Sequence, residues 1–191
     1  MKLILSSCDF GNGKSAQVII SNLKKPIDQC NLLYFPNEKA TYEKIHSDKY
    51  YDRMVEFGFS KENVNVFDYY NPNAFYKLKI DAIYISGGNT FLTLQRIRNA
   101  GFDKEITRYV QSGVIYIGGS SGAHIASMNV RHVAAFDPVP EGFADFDGLG
   151  LFNGILVCHY TVSRKSLFEK LQKESKYPVY ALTDEESIVI D

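Results

Sequence analysis

Ser120 lies in the run Gly118-Gly119-Ser120-Ser121-Gly122, between apolar Val114-Ile115-Tyr116-Ile117 and the helix-compatible Ala123-His124-Ile125-Ala126-Ser127. An apolar strand, G-x-S-x-G and then a helix is the arrangement of a nucleophile elbow. Glycines let the backbone pass through a turn that a Cβ would obstruct. A serine at the apex is raised above the sheet edge, over a helix N-terminus that favours developing negative charge. Glycine- and serine-rich turns also serve simply to turn the chain or hold a phosphate. The reading therefore depends on a base, an acid and backbone donors elsewhere.

Ser86-Gly87-Gly88-Asn89-Thr90 supplies candidate donors. Adjacent glycines at a strand end expose N–H groups, and the N–H of Ser121 would complete an oxyanion hole. Asn89 or Thr90 is also placed to cap the following helix.

There are four histidines. His46 falls in a polar helix and is expected to be exposed. His124 is four residues beyond Ser120 on the elbow helix, where a side chain points along the helix body rather than at the turn. His132 has no distinguishing context. His159 closes Ile155-Leu156-Val157-Cys158 and, if that strand neighbours the elbow strand, is placed to take a proton from Ser120. Asp137, Glu141, Asp145 and Asp147 precede His159 as candidate acids to orient the imidazole. The residues alone leave that choice open.

Other chemistries fit poorly. Gly11-Asn12-Gly13-Lys14-Ser15 ends like a phosphate loop, but Cys8 stands where the first glycine belongs. The dinucleotide pattern G-x-G-x-x-G is absent. No His/Cys/Asp group has metal-ligand spacing, so no metal and no cofactor is expected.

The elements that must position these groups alternate in type. Strands are expected at Lys2–Ser7, Asn31–Phe35, Asn63–Phe67, Asp81–Ile85, Val114–Ile117, Ile155–His159, Val179–Leu182 and Ser187–Ile190. Helices are expected at Ser15–Leu23, Ala40–Phe57, Thr90–Asn99, Asp103–Gln111 and Ser163–Glu174, with an irregular stretch at Arg131–Gly150. This alternation predicts an α/β fold: a doubly wound, mostly parallel sheet flanked by helices, in a single domain over residues 1–191. Such sheets place their sites outside the strands' carboxyl ends.

The 191 residues are 45% hydrophobic and 23% charged, with a formal net charge of −1 and no basic cluster, which argues against a nucleic-acid partner. No apolar stretch approaches the roughly 20 residues of a membrane span. Three widely spaced cysteines, Cys8, Cys30 and Cys158, suit a reducing cytoplasm. The chain ends directly after an apparent strand, leaving room for a short further piece.

Taken together, Ile85-Ser86-Gly87-Gly88-Asn89-Thr90, Gly118-Gly119-Ser120-Ser121-Gly122-Ala123 and Leu149-Gly150-Leu151 leading to Cys158-His159-Tyr160 resemble the dipeptidase E (aspartyl dipeptidase) family of serine peptidases. The resemblance implies a fold like the class I glutamine amidotransferases, with serine replacing their cysteine. It implies Ser120 as nucleophile, with Ser121 the lesser candidate where the family has alanine. It further implies His159 as base, and Gly88 with Ser121 as oxyanion donors. Asp137 is the matching acid and Glu141 the reserve. Arg164, with Asn89, would contact a substrate such as a dipeptide with N-terminal aspartate, because a guanidinium pairs a carboxylate through two parallel hydrogen bonds. Homodimerisation is also implied. Two other readings remain: a non-catalytic amidotransferase-like binding protein, and a hydrolase of a non-peptide amide or ester.

Overall fold

Side-chain alternation in the short apolar runs sets the architecture. A computed structural model describes all 191 residues. Its main sheet contains β1 (Lys2–Ser6), β2 (Leu32–Phe35), β3 (Val64–Val66), β4 (Ala82–Ile85), β5 (Ile115–Gly119) and, beyond two strands described below, β8 (Ser187–Ile190). The spatial order is β3-β2-β4-β5-β1-β8, parallel except for β8, which runs antiparallel along β1.

Successive residues point to opposite faces, and both faces are covered. Leu3, Leu5, Leu33, Phe35, Ile83, Ile85 and Tyr116 pack beneath α4 (Thr90–Asn99), α5 (Asp103–Gln111) and α6 (Ser121–Ala126). Ile4, Leu32, Tyr34, Tyr84, Ile115 and Ile117 pack against α1 (Gly13–Asn22), α2 (Tyr42–Ile45) and α3 (Lys49–Glu56). Burial on both faces explains why these strands read as continuous apolar runs. The α/β, mostly parallel fold expected from the sequence is the one observed.

Two expectations need correction. The helix expected over Ala40–Phe57 is broken into α2 and α3. The Ser47 hydroxyl donates to the Lys44 carbonyl and accepts from Lys49 N–H, so a side chain takes over bonds that a continuous helix would use. The strand leading to His159 also does not neighbour the elbow strand. β6 (Ile155–Val157) and β7 (Val179–Ala181) form their own two-stranded parallel sheet, linked by α7 (Lys165–Glu174). A helical crossover is what a parallel pair requires.

The turn after β5 is held by close backbone approaches. A Cβ on Gly122 would overlap the Ile85 carbonyl, and one on Gly119 would overlap the Asp9 carboxylate. Gly122→Ala is therefore expected to cost at least about 2 kcal/mol in urea denaturation, because the obstruction is backbone. Gly11→Ala, with nothing within 4 Å of the added atom, should stay within about 0.5 kcal/mol of the unsubstituted protein. Equal stabilities for the two variants would contradict the packing described.

Candidate active site

The elbow fixes Ser120 in an unfavourable backbone conformation, φ 49° and ψ −106°. A non-glycine residue there costs on the order of 1–3 kcal/mol and persists only where surrounding structure imposes it. Here Ser120 N–H bonds to the Ser6 carbonyl, and His124 N–H bonds back to the Ser120 carbonyl. Asp9 and His159 also have positive φ, 41° and 52°. Three of the four non-glycine residues with positive φ thus cluster around one turn.

Ser120 Oγ lies 2.9 Å from His159 Nε2, and His159 Nδ1 lies 2.5 Å from Asp184 Oδ1. The hydrogen bond from His159 holds the Asp184 carboxyl below its ordinary range. An ionised carboxylate can only accept, so Nδ1 carries the proton and Nε2 offers its lone pair to the Ser120 hydroxyl. The β6–β7 register produces the pairing. Val157 lies opposite Ala181, and the ladder continues through Leu182 N–H to the Val157 carbonyl and Tyr160 N–H to the Leu182 carbonyl. His159 and Asp184 therefore leave neighbouring strands at the same end.

Ser7 ties this ribbon to the main sheet. Its buried hydroxyl donates to the Leu182 carbonyl and accepts from His159 N–H. Neither Ser7 nor Asp184 was singled out by residue type. The available signal was that both follow strands at their carboxyl ends.

Asp137 and Glu141 are not the partners of His159. Asp137 Oδ2 accepts from Thr90 N–H at the start of α4, a carboxylate at a helix N-terminus. Glu141 is exposed. Asp145 pairs with Arg98, and Asp147 accepts from Asn129.

Ser121 is buried, and its hydroxyl donates to the Ser86 carbonyl, which leaves Ser120 as the hydroxyl facing the imidazole. Ser121 opens α6, where its N–H has no intrahelical acceptor. Gly87 lies against Ser120: a Cβ added there would stand 3.8 Å from Ser120 Oγ. Gly88 packs on Asn37 and Glu38. Asn37 Nδ2 donates to the Gly87 carbonyl, and Glu38 Oε2 accepts from Asn89 N–H and Thr93 Oγ1. The loop after β2 thereby clamps the glycine turn, a support the sequence reading did not assign.

Asn89 is not free to bind a substrate through its side chain. Its Oδ1 accepts from Leu92 N–H as the α4 cap, and its Nδ2 donates to the Pro138 carbonyl. Arg164 lies in a single 3₁₀ turn just before α7 rather than within the helix. Its guanidinium donates to the Cys158 carbonyl at 2.5 Å and stacks over Phe136 with 3.7 Å from Cζ to the ring centre.

The other histidines have structural partners. His46 is exposed and bridges the Tyr42 carbonyl and Asp68. His132 bonds the Leu156 carbonyl. His124 Nε2 accepts from Cys158 N–H at 3.4 Å, and its Nδ1 faces Thr90 Oγ1 at 3.5 Å.

Although no spaced metal motif was found, the fold gathers Cys8, His159 and Asp184 at one point. Burial, then Asp184, pushes the Cys8 thiol up to about 11, and burial pushes Cys158 up to about 12. All three cysteines are free thiols. The site is open: Asp184 and His159 side chains are 61% and 35% exposed. No helix is long and apolar enough to cross a membrane.

The family model described as Peptidase family S51 matches residues 3–191. The chain belongs to peptidase family S51. It is 33% identical over 117 residues to an uncharacterized peptidase of Listeria monocytogenes, covering 59% of this chain and 57% of that protein. It is 37% identical over 82 residues to peptidase E of an Escherichia coli strain, covering 42% of this chain and 34% of that protein. The aligned segments thus span roughly a third to somewhat over half of these curated relatives. A solved Listeria monocytogenes structure, provisionally described as a peptidase E protein, superposes with a TM-score of 0.76 at 24% identity, covering 99% of this chain and 93% of that one. A peptidase from an acI-B1 Actinobacterium superposes at 0.64 and 18%, covering 99% and 82%. At these identities the two superpositions establish that the S51 chain shares their fold.

Burial lowers the affinity of His124 and His132 for protons below the ordinary value of 6.5. Below that pH the unfolded chain binds protons that the folded chain refuses, so stability rises with pH there and falls on acidification. Each imidazole held neutral should contribute a slope of up to about 1.4 kcal/mol per pH unit. Urea midpoints measured between about pH 7.5 and 5.5 should show this decline, with a shallower slope for His124→Gln. A flat profile, or an unchanged slope in the variant, would contradict the burial of a neutral His124.

Proposed function

We propose that the chain is a serine peptidase that cleaves small peptides by acyl transfer through Ser120. The observation carrying this reading is the continuous hydrogen-bonded relay from Ser120 through His159 to Asp184. With Nδ1–H held by Asp184, Nε2 removes the Ser120 proton as Oγ attacks the scissile carbonyl. The resulting imidazolium gives that proton to the leaving amine. Water then repeats the sequence on the acyl-enzyme, and His159 again acts first as base and then as acid.

The tetrahedral oxyanion would be bound by the N–H groups of Ser121 and Gly88. Ser121 offers the first N–H of α6, and Gly88 belongs to the turn lying against Ser120. One such donor is worth about 3 kcal/mol of barrier. Membership of family S51 supports a peptide as substrate.

A dipeptide with N-terminal aspartate is the proposed substrate. Arg164 supports it: one arm of the guanidinium is spent on the Cys158 carbonyl, next to His159, leaving other donors for an acidic side chain.

Assays with Asp-Leu as substrate test these roles. Ser120→Ala should lower kcat by about 10⁶, the scale of losing a triad nucleophile. Asp184→Asn should lower it by about 10²–10⁴, the upper end matching a buried triad acid and the lower end allowing for solvent screening. Asp137→Ala should remain within about threefold while losing roughly 1 kcal/mol of stability, as for a missing helix cap. Arg164→Ala should raise KM for Asp-Leu about tenfold or more with a smaller effect on Ala-Leu, since it removes a charged contact. Unchanged turnover in Ser120→Ala, or a larger loss in Asp137→Ala than in Asp184→Asn, would refute the assignment.

A further inference from the structure

Three chemically distinct metal donors converge beside Ser120. Cys8, His159 and Asp184 each offer one ligand atom, and these atoms lie within 4.8 Å of one another. They come from separate parts of the chain: the turn after β1, and the ends of the extensions of β6 and β7. We propose that this cluster is an inhibitory site for a thiophilic divalent cation, Zn²⁺ foremost, which switches the enzyme off by taking over its base. The inhibitory part rests on His159 acting as the base for Ser120.

Sulfur, nitrogen and oxygen donors together suit Zn²⁺, whose bonds of about 2.0–2.3 Å need ligand atoms about 3.4–3.8 Å apart in a tetrahedron. Thiolate ligation selects against Mg²⁺ and Ca²⁺. To reach that spacing, His159 Nδ1 and Asp184 Oδ1, now 2.5 Å apart, would separate by roughly 1 Å as the ion enters between them and the Cys8 sulfur. Cys8 is the thiol positioned to respond, since Cys30 and Cys158 are 1% and 0% exposed whereas Cys8 is partly exposed. The exposure of Asp184 and His159 provides an entry path and room for a water as fourth ligand.

Protons account for the inhibition. On binding, the Cys8 S–H bond breaks, the thiolate sulfur coordinates the ion, and that proton passes to buffer. His159 changes tautomer: the Nδ1 proton is lost to solvent as the metal binds there and Nε2 takes one up, so the imidazole stays neutral. The Asp184 oxygen that accepted from Nδ1–H becomes a ligand. One proton is released per ion, and no electrons are transferred. With Nε2 protonated, His159 has no lone pair for the Ser120 hydroxyl, so general-base catalysis stops.

The test uses the full chain after chelator treatment. Zn²⁺ is titrated against Asp-Leu hydrolysis, and Co²⁺ serves as an optical probe for a thiolate-to-metal charge-transfer band. Rates of Cys8→Ser and Cys8→Ala are each normalised to their own zinc-free value. Zn²⁺ should inhibit the unsubstituted protein reversibly on addition of EDTA, and both variants should need at least about tenfold more Zn²⁺ for half-inhibition, as a thiolate ligand is lost. The Co²⁺ band should appear in the unsubstituted protein and in Ser120→Ala, and vanish in Cys8→Ser. Absence of the band from the unsubstituted protein, its survival in Cys8→Ser, or equal zinc sensitivity across all forms would overturn the site. A band that depends on Cys8, in protein that hydrolyses no peptide, would support the cation site while overturning the peptidase reading.

Discussion

The contact between the Ser120 hydroxyl and the His159 imidazole joins two separate β-structures. The serine stands on the six-stranded sheet and the imidazole on the β6–β7 ribbon. Their relative position therefore depends on how the ribbon is anchored. Ser7 performs much of that anchoring, because one hydroxyl accepts from His159 N–H and donates to the carbonyl of Leu182. A hydrogen bond with both partners buried is worth about 1 kcal/mol net, but leaving its partners unsatisfied costs more. The constraint thus lies less in the strength of the bond than in the cost of leaving its partners bare.

A second constraint is steric. The strand-to-helix turn holding Ser120 exists because α6 approaches β4 so closely that Gly122 has no room for a side chain. Gly119 leaves space for the buried Asp9. Around that crowded centre, polar groups fix the loops: Glu38 and Asp137 hold consecutive N–H groups at the start of α4, and Asn37 holds the carbonyl of Gly87. Asp137, which lies between the elbow and His159 in the sequence, thus organises the loop opposite the serine instead of orienting the histidine.

The elbow, the glycine turn and His159 were legible in the sequence because each is a local event: an apolar run ending in residues of special conformational or chemical type. The core was legible for the same reason, with α4 and α5 starting and ending where the residue pattern placed them. Asp184 was not legible from proximity in sequence, since it follows His159 by 25 residues and reaches it only through strand pairing. Its signal was indirect: two apolar runs separated by a helix imply a parallel pair whose ends lie together. The convergence of Cys8 on the same spot has no local signature, because it depends on β1 ending beside that ribbon. The interruption between α2 and α3 escaped the periodicity because one serine hydroxyl, rather than any glycine or proline, diverts the backbone bonds.

The two β-structures differ in how deeply they are embedded. Every residue of β2, β4 and β5 is buried, whereas β7 is half-exposed and α7 has no buried residue. His159 follows β6, buried at all three residues, whereas Asp184 follows the half-exposed β7, so the carboxylate end of the Ser120–His159–Asp184 series sits on the more weakly packed strand. On warming, the β7–α7 edge would loosen first, so the contact between Asp184 and His159 would open while the elbow kept its shape and the bulk of the molecule stayed native.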